Sequence, residues 1–288
     1  MQKKMSKLIK TLICGGDISL AVLDTACAAR EGVLRHRMAP ASAKAYARAF
    51  TLTAYLCGWL KEEGNLSVTV NGGGAGGKIC LTGDSDLCLR GYIEHADVSL
   101  GGGEEAVCAC VGKNGTLTVV RSEPYCLPFV GTSELVSGNL NDDFVRYFAI
   151  SEQRDTWICA GECFSDGGEL LSAGAVVLQA MPFAAEESLA RARSIAENYR
   201  DIACRLQGGG AEEIARELSP EGEISAREIR FRCRCSRERA QQAVRSLRRE
   251  EAEEILRAEG KISVHCHDCN TDYSFGKKEA EELFCGGE

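Results

Sequence analysis

Four cysteines near the C-terminus carry the most chemistry in this chain: Cys233-x-Cys235 and, after thirty intervening residues, Cys266-x-x-Cys269. Cysteine sulfur binds zinc as the thiolate, and a structural zinc takes four such ligands at the corners of a tetrahedron. Two close pairs on separate stretches of chain supply that set. A Cys-x-x-Cys knuckle presents two sulfurs from a tight turn, whereas Cys-x-Cys holds its pair on a short, extended grip. That asymmetry separates the site from common zinc fingers and ribbons, which use two x-x knuckles. The expectation is one Zn2+ per chain in the reduced state, ligated by Cys233, Cys235, Cys266 and Cys269. Accessible thiolates are also what oxidants attack, to sulfenic acid and then disulfide.

The segment between the pairs must bring them together. Ser236 is placed to cap a helix whose apolar face is Ala240, Ala243, Val244 and Leu247, and a second helix from about Arg249 to Ala258 ends at Gly260. Ile262 and Val264 alternate into Cys266, and Tyr273 and Phe275 alternate out, so the second knuckle sits on a hairpin. Two short helices and a hairpin offer little core. A scaffold this small seldom gains more than about 3–5 kcal/mol from burial, while structural zinc supplies roughly 10–16 kcal/mol of apparent binding free energy. Metal therefore decides whether this tail is folded.

The flanks of the cysteines, Phe231-Arg-Cys-Arg-Cys-Ser-Arg-Glu-Arg239 and Gly260-Lys-Ile-Ser-Val-His-Cys-His-Asp-Cys-Asn-Thr-Asp-Tyr-Ser-Phe275, resemble the zinc switch of the thirty-three-kilodalton heat-shock protein family. These are bacterial chaperones activated by oxidation. Arg90-Gly-Tyr92, Tyr147-Phe-Ala-Ile-Ser-Glu-Gln153 and Ala173-Gly-Ala-Val-Val-Leu-Gln-Ala-Met-Pro182 follow in the family's order along almost the whole chain. The family's usual Asn-Pro after Arg-Gly-Tyr is replaced near His95-Ala96, and Arg154 follows the Ser-Glu-Gln run; neither departure touches the cysteines.

The resemblance implies a redox-regulated, ATP-independent holdase, not an enzyme, that binds unfolding client proteins after its thiols are oxidised and zinc is released. It implies an oxidised form with Cys233–Cys235 and Cys266–Cys269 disulfides, a homodimer when active, and re-reduction by thiol reductants such as thioredoxin or glutaredoxin. Each such near-neighbour bridge closes a tiny loop, worth at most about 2 kcal/mol in the chain-entropy model. Those bridges would neither replace zinc nor tie the two arms together.

The remaining sequence sets the frame. With 288 residues, 44% of them hydrophobic, the chain can bury one large core and a small one. A net charge of −8 argues against a general nucleic-acid or acidic-membrane surface. Lys10 interrupts the short Leu8 to Ile13 apolar stretch, so no signal peptide is expected, and no segment approaches the roughly 20 apolar residues of a membrane span. This predicts a cytoplasmic protein, where clustered cysteines mean metal or redox chemistry.

The fold class expected is α+β, layered sheets around a buried helix, followed by a helical linker and a small zinc-binding domain. The corresponding divisions are residues 1–182, 183–228 and 229–288. Ile18, Leu20 and Val22 alternate as in a half-buried strand, with a helix from about Thr25 to His36 after them. A longer helix over Ser42 to Lys61, uncharged from Ala49 to Leu60, should be buried on most of its circumference. Strands are expected at Leu66 to Val70, Lys78 to Leu81, Leu87 to Tyr92, Val107 to Val111 and Thr116 to Val120, with Asn114-Gly115 as a hairpin turn. A helix over Asn141 to Ser151 and strands at Trp157 to Ala160 and Ala173 to Leu178 complete the main domain. Beyond Pro182 one helix from about Ala184 to Leu206 carries the stripe Leu189, Ala192, Ala196, Tyr199, Ala203 and Leu206, and Gly208-Gly-Gly210 breaks it.

Three other patterns compete for function. Gly72-Gly-Gly-Ala-Gly-Gly77-Lys78 matches most of a phosphate loop, but Ile79 stands where Ser or Thr belongs and the next residues look like strand, so a hairpin turn is preferred. From Arg227 to Arg249 there are nine arginines against two glutamates, the best case for a zinc-ribbon nucleic-acid module; few aromatics interleave them, and four glutamates follow at once. Cys266-His-Asp-Cys269 could serve a thiol-disulfide oxidoreductase, although hairpin residues lie where a helix should open. His265 and His267 are expected to be solvated neighbours of the knuckle. The other twelve cysteines, among them Cys108 and Cys110 on a strand and Cys159 and Cys163 at a strand end, should mostly be small buried hydrophobes.

Overall fold

A computed structural model of the chain describes residues 5–100 and 103–285. The chain forms two compact units, Met1–Arg232 and Cys233–Glu288.

In the first unit β1 (Ser6–Ile13) and β2 (Ile18–Asp24) pair antiparallel across a tight turn. The residue alternation in β2 predicts one wet face, yet all of β2 is buried. Helices pack on it from both the buried-helix side and the linker side, so neither face meets water. After α1 (Ala26–Arg35) comes the central helix α2 (Pro40–Cys57), in which every residue except Pro40 and Lys44 is buried. Its six alanines let neighbours approach closely on all sides. Its buried cation, Arg48, is held by Glu162 at 2.7 Å and by Glu104. A buried charge is tolerated only when paired in this way.

β3 (Asn65–Asn71), β4 (Ile79–Asp84) and β5 (Cys88–Ile93) form an antiparallel meander. In the Arg90-Gly-Tyr92 motif, Gly91 has φ +147°, and a Cβ there would lie 2.1 Å from the Cys80 carbonyl oxygen. Only glycine fits. The expected strand over Val107 to Val111 is instead α3 (Glu104–Val111), and Cys108 and Cys110 lie on a helix. Glu104 and Glu105 in its first turn favour the helix N-terminus, and Ala106, Val107, Cys110 and Val111 are buried, with α2 against the helix. The Gly72–Gly77 loop finishes it: the N–H groups of Gly74, Ala75 and Gly76 donate to the carbonyls of Val111, Ala109 and Cys110 at 3.2, 3.1 and 2.8 Å. These satisfy the orphan carbonyls of a helix end. A Cβ at Gly72 or Gly74 would lie 2.4 Å from that backbone, which explains the glycines without a phosphate. Asn114-Gly115 joins α3 to the next strand and is not a hairpin turn.

β6 (Thr116–Ser122), β7 (Phe129–Glu134) and α4 (Leu140–Tyr147) follow, and a wider helical turn at Phe148–Glu152 leads to β8 (Thr156–Phe164) and β9 (Leu170–Ala180). The single helix expected after Pro182 is three: α5 (Glu186–Asn198), α6 (Ile202–Gly208) and α7 (Ala211–Leu218). The bend at Tyr199–Asp201 lets the apolar stripe follow the sheet, with α5 and α6 crossing β8 and β9 and α7 reaching β1 and β2. Ala192, Ile195, Tyr199, Ile202 and Leu206 share one core with Ile9, Leu20, Val22, Val176 and Leu178.

The chain then returns as β10 (Ser225–Phe231), a strand with no clear signal in its charged sequence. The sheet order is β7-β6-β3-β4-β5-β10-β1-β2-β9-β8. β10 is thus the seam between two halves, antiparallel to β1 and parallel to β5. α2 touches strands of both halves, giving the expected layered α+β arrangement round a buried helix. Among the described residues no helix is long and apolar enough to cross a membrane.

The second unit contains α8 (Arg237–Arg245), α9 (Arg249–Glu259), the hairpin β11 (Lys261–Cys266) and β12 (Thr271–Gly276), and α10 (Lys277–Cys285). Its core is small: Ala240, Val244, Ala252, Ile262, Phe275, Ala280 and Leu283.

Candidate metal centre

The cysteine pairs are placed by the ends of these elements. Cys233 and Cys235 stand just before α8, where the Ser236 hydroxyl accepts the Arg239 N–H at 3.3 Å and starts the helix. Gly260, at φ +75°, stops α9 and turns the chain into β11. Ile262 opposite Phe275 and Val264 opposite Tyr273 set the hairpin register, which places Cys266 at the end of β11. The knuckle closes when the Asn270 N–H donates to the Cys266 carbonyl at 2.9 Å, with Asn270 in the left-handed region at φ +55°.

The four sulfurs all lie within 4.8 Å of one another. Cys233 Sγ is 3.6 Å from Cys266 Sγ, and Cys235 Sγ is 3.3 Å from Cys269 Sγ. Four sulfurs about 2.3 Å from one tetrahedral zinc are about 3.8 Å apart, so this donor set fits zinc in both chemistry and size. Among the described residues no other His, Cys, Asp or Glu group of three or more is gathered in this way.

Outer hydrogen bonds support the sulfurs. The Tyr273 hydroxyl donates to Cys235 Sγ at 3.1 Å, and the Cys235 N–H donates to Cys233 Sγ at 3.4 Å. Thr271 Oγ1 lies 3.2 Å from Cys269 Sγ. Such partners orient ligands and stabilise thiolates. Burial pushes the Cys233 thiol well up and that of Cys266 up to about 11. Burial opposes ionisation at Cys235 too, but hydrogen bonds from Tyr273 and the neighbouring thiols outweigh it and hold this thiol below its ordinary value. Cys235 is therefore more readily kept as thiolate than Cys233 or Cys266.

Tyr273 enters the sequence pattern only as an apolar strand residue; its hydroxyl role follows from the hairpin register. His265 is outside the sulfur group, its Nδ1 2.7 Å from Asp272 Oδ1, and its ring meets that of His267 edge-on at 5.0 Å. Four of the nine arginines in the run are ion-paired: Arg230 with Glu228, Arg237 with Glu279, Arg248 with Glu251 and Arg249 with Glu253. That pairing weakens the case for a nucleic-acid face. Cys266 ends a strand rather than opening a helix, so the helix N-terminus that activates a redox-catalytic thiolate is missing there. Elsewhere, Cys57 and Cys159 are buried, and burial pushes the Cys159 thiol up to about 11. Cys126 and Cys204 are exposed.

The family model described as Hsp33 protein matches residues 6–276. The 33 kDa chaperonin of Geobacillus sp. (strain WCH70) is 32% identical over 283 residues, covering 96% of each chain. That of Bacillus cytotoxicus is 31% identical, covering 96% of this chain and 97% of its own. The crystal structure of the 33 kDa chaperonin from Thermotoga maritima superposes with a TM-score of 0.87 at 26% identity, covering 98% of both chains. Fold and relatives together define a chaperone, a class of protein that is not an enzyme. The chain belongs to the Hsp33 family.

Proposed function

We propose that this chain is a redox-regulated, ATP-independent holdase whose switch is the unit holding Cys233, Cys235, Cys266 and Cys269. The observation that carries the reading is four sulfurs within 4.8 Å in a small unit where, among the described residues, four large side chains, Val244, Ile262, Phe275 and Leu283, are buried in the core and the other apolar ones packed on it are only partly buried. Bound zinc would hold these sulfurs as thiolates and join the arm at 233–235 to the arm at 266–269. In this reading residues 1–182 are the chaperone domain, 183–228 the linker and 229–288 the switch.

Oxidation changes the sulfurs themselves. Two thiolates lose two electrons to the oxidant as each disulfide forms, hydrogen peroxide taking up those electrons and two protons from solvent to leave as two waters, and the donor set is gone. With Cys233–Cys235 and Cys266–Cys269 bridges the arms are no longer joined, the tail unfolds, and the docked linker helices are freed to expose the stripe of Ala192, Ile195, Tyr199, Ile202 and Leu206 to unfolding clients. The active form is a homodimer in the cytoplasm, reset by thioredoxin or glutaredoxin.

Pairing is the discriminating detail. Cys233–Cys266 and Cys235–Cys269 are also close, and bridges across those sequence separations of 33 and 34 residues would each stabilise the tail by about 4 kcal/mol in the chain-entropy model. Near-neighbour bridges contribute at most about 2 kcal/mol. The test measures zinc release, disulfide positions and suppression of client aggregation in one sample before and after peroxide. Near-neighbour bridges with gain of client binding are expected. Zinc release with cross-arm bridges, a folded tail and unchanged client binding would overturn the reading.

A further inference from the structure

Resting on that reading, we infer that the client site includes the slot of β10 itself: once β10 leaves the sheet, an extended client segment takes its place between β1 and β5 by strand addition. The topology singles β10 out. It joins two halves of the sheet that are otherwise not neighbours. Its register with β5 pairs only Arg230 with Cys88 and Phe231 with Leu89. Every other neighbouring pair in the sheet runs in register over four residues or more. Of its residues only Ile229 and Phe231 are buried, and Glu228 and Arg230 pair with each other on the outside.

β10 is also placed to leave. Phe231 stands two residues before Cys233 in sequence, so the strand's C-terminal end is anchored by the unit that holds the cysteines. Its N-terminal end follows α7, the last linker helix. Unfolding of the tail and release of the linker would remove both anchors. What remains to hold it are the strand bonds, Arg227 donating to the Ser85 carbonyl, Arg35 lying over the Phe231 ring at 5.6 Å, and the burial of Ile229 and Phe231 with α1 packed on the strand.

An emptied slot would be selective for form and tolerant of sequence. The β10-facing N–H and C=O groups of Ser6–Lys10, and the Leu87 and Leu89 carbonyls that accept the Arg230 and Arg232 N–H groups, would lose their partners, and only an extended backbone restores them on both sides. Side-chain demands are those β10 itself meets: apolar residues at alternate positions, as Ile229 and Phe231, with anything at the positions between. An unfolding polypeptide with any alternating apolar stretch meets them. Main-chain recognition does not read sequence, which suits a protein that must hold many clients.

The test uses the oxidised full-length protein, a permanently unfolded client (reduced, carboxymethylated α-lactalbumin) and a synthetic peptide of residues Glu223–Arg232. Hydrogen exchange should show the β10-facing amides of β1 and β5 opening on oxidation and closing again when client is added. The peptide should bind and displace client, and a version N-methylated at alternate backbone nitrogens should compete at least about tenfold less well, since it cannot donate to a strand edge. Equal competition by both peptides, amides that stay open with client bound, or β10 amides that stay protected after oxidation would each overturn the inference. Closure that depends on protein concentration without client would also overturn it, making the slot a joint between copies. If the oxidised protein holds no client at all, the holdase reading fails, while direct binding of the two peptides still decides whether the slot opens and pairs.

Discussion

Replacing Phe275 by Ala should weaken zinc binding although the ring is no ligand. Phe275 is fully buried, faces Ile262 across the hairpin, and carries the Arg237 guanidinium over its ring at 4.7 Å. Removing a buried phenylalanine costs about 3–5 kcal/mol. A scaffold this small draws at most about that much from its core, and three of the seven buried residues of the apolar cluster here are alanine. On the proposed reading the metal-free tail has no reserve of stability, and zinc binding drives its folding. Under that coupling the whole cost of the substitution appears in apparent affinity. At about 1.4 kcal/mol per tenfold, it amounts to roughly 100- to 4,000-fold weaker zinc binding. Competition with a chromophoric chelator on the reduced full-length protein measures this directly. The loaded variant should still be folded, because zinc supplies roughly 10–16 kcal/mol. An affinity within about threefold of wild type would mean that the tail folds without metal, and the argument for a metal-controlled switch would fall.

Two predictions concern the first unit. Arg48→Met leaves Glu162 buried beside no guanidinium and should cost about 3–5 kcal/mol, or roughly 6–20 °C in Tm at about 2–4 °C per kcal/mol for a unit of this size. In scanning calorimetry Arg48→Met with Glu162→Leu should recover most of it; a double variant as unstable as the single one would refute the charge argument. Lys10 lies in β1, donates to the Gly58 carbonyl at 2.6 Å and sits 4.0 Å from the Trp59 ring centre. Burial, reinforced by Arg227, pulls its ammonium from the ordinary 10.5 down to about 8. The unfolded chain therefore binds more protons between those values, and this residue's contribution to stability rises with pH across that window. Urea unfolding at about pH 7 and about pH 10 should show wild type gaining on Lys10→Met as pH rises, and a constant difference would contradict the shift.

Much of the tail is legible because its signals are local. A hydroxyl before α8, a glycine after α9 and period-two alternation on both sides of the knuckle each act within a few residues, so caps and hairpin follow from spacing. The charge-free stretch of α2 likewise declares its burial, since no residue there can face water at a profit. α10 is the exception in the tail: Ala280 and Leu283 complete the core from a sequence rich in Lys and Glu whose apolar spacing is sparse. Val107 to Val111 reads as strand because five small apolar residues have no period of their own. Two glutamates at one end and a glycine loop supplying N–H donors at the other make it a helix.

The residue types and spacing alone determined that four thiolates could serve one metal and that the tail carries only a small apolar core. Those are properties of ligand chemistry and of apolar content, and both are counted along the chain. Only the tertiary structure decided that Tyr273 would donate to Cys235, that the glycine loop would close α3, and that β10 would be the seam of the large sheet. Each depends on partners distant in sequence, and a charged strand such as Ser225–Phe231 has no preference for its place until β1 and β5 present their unpaired edges.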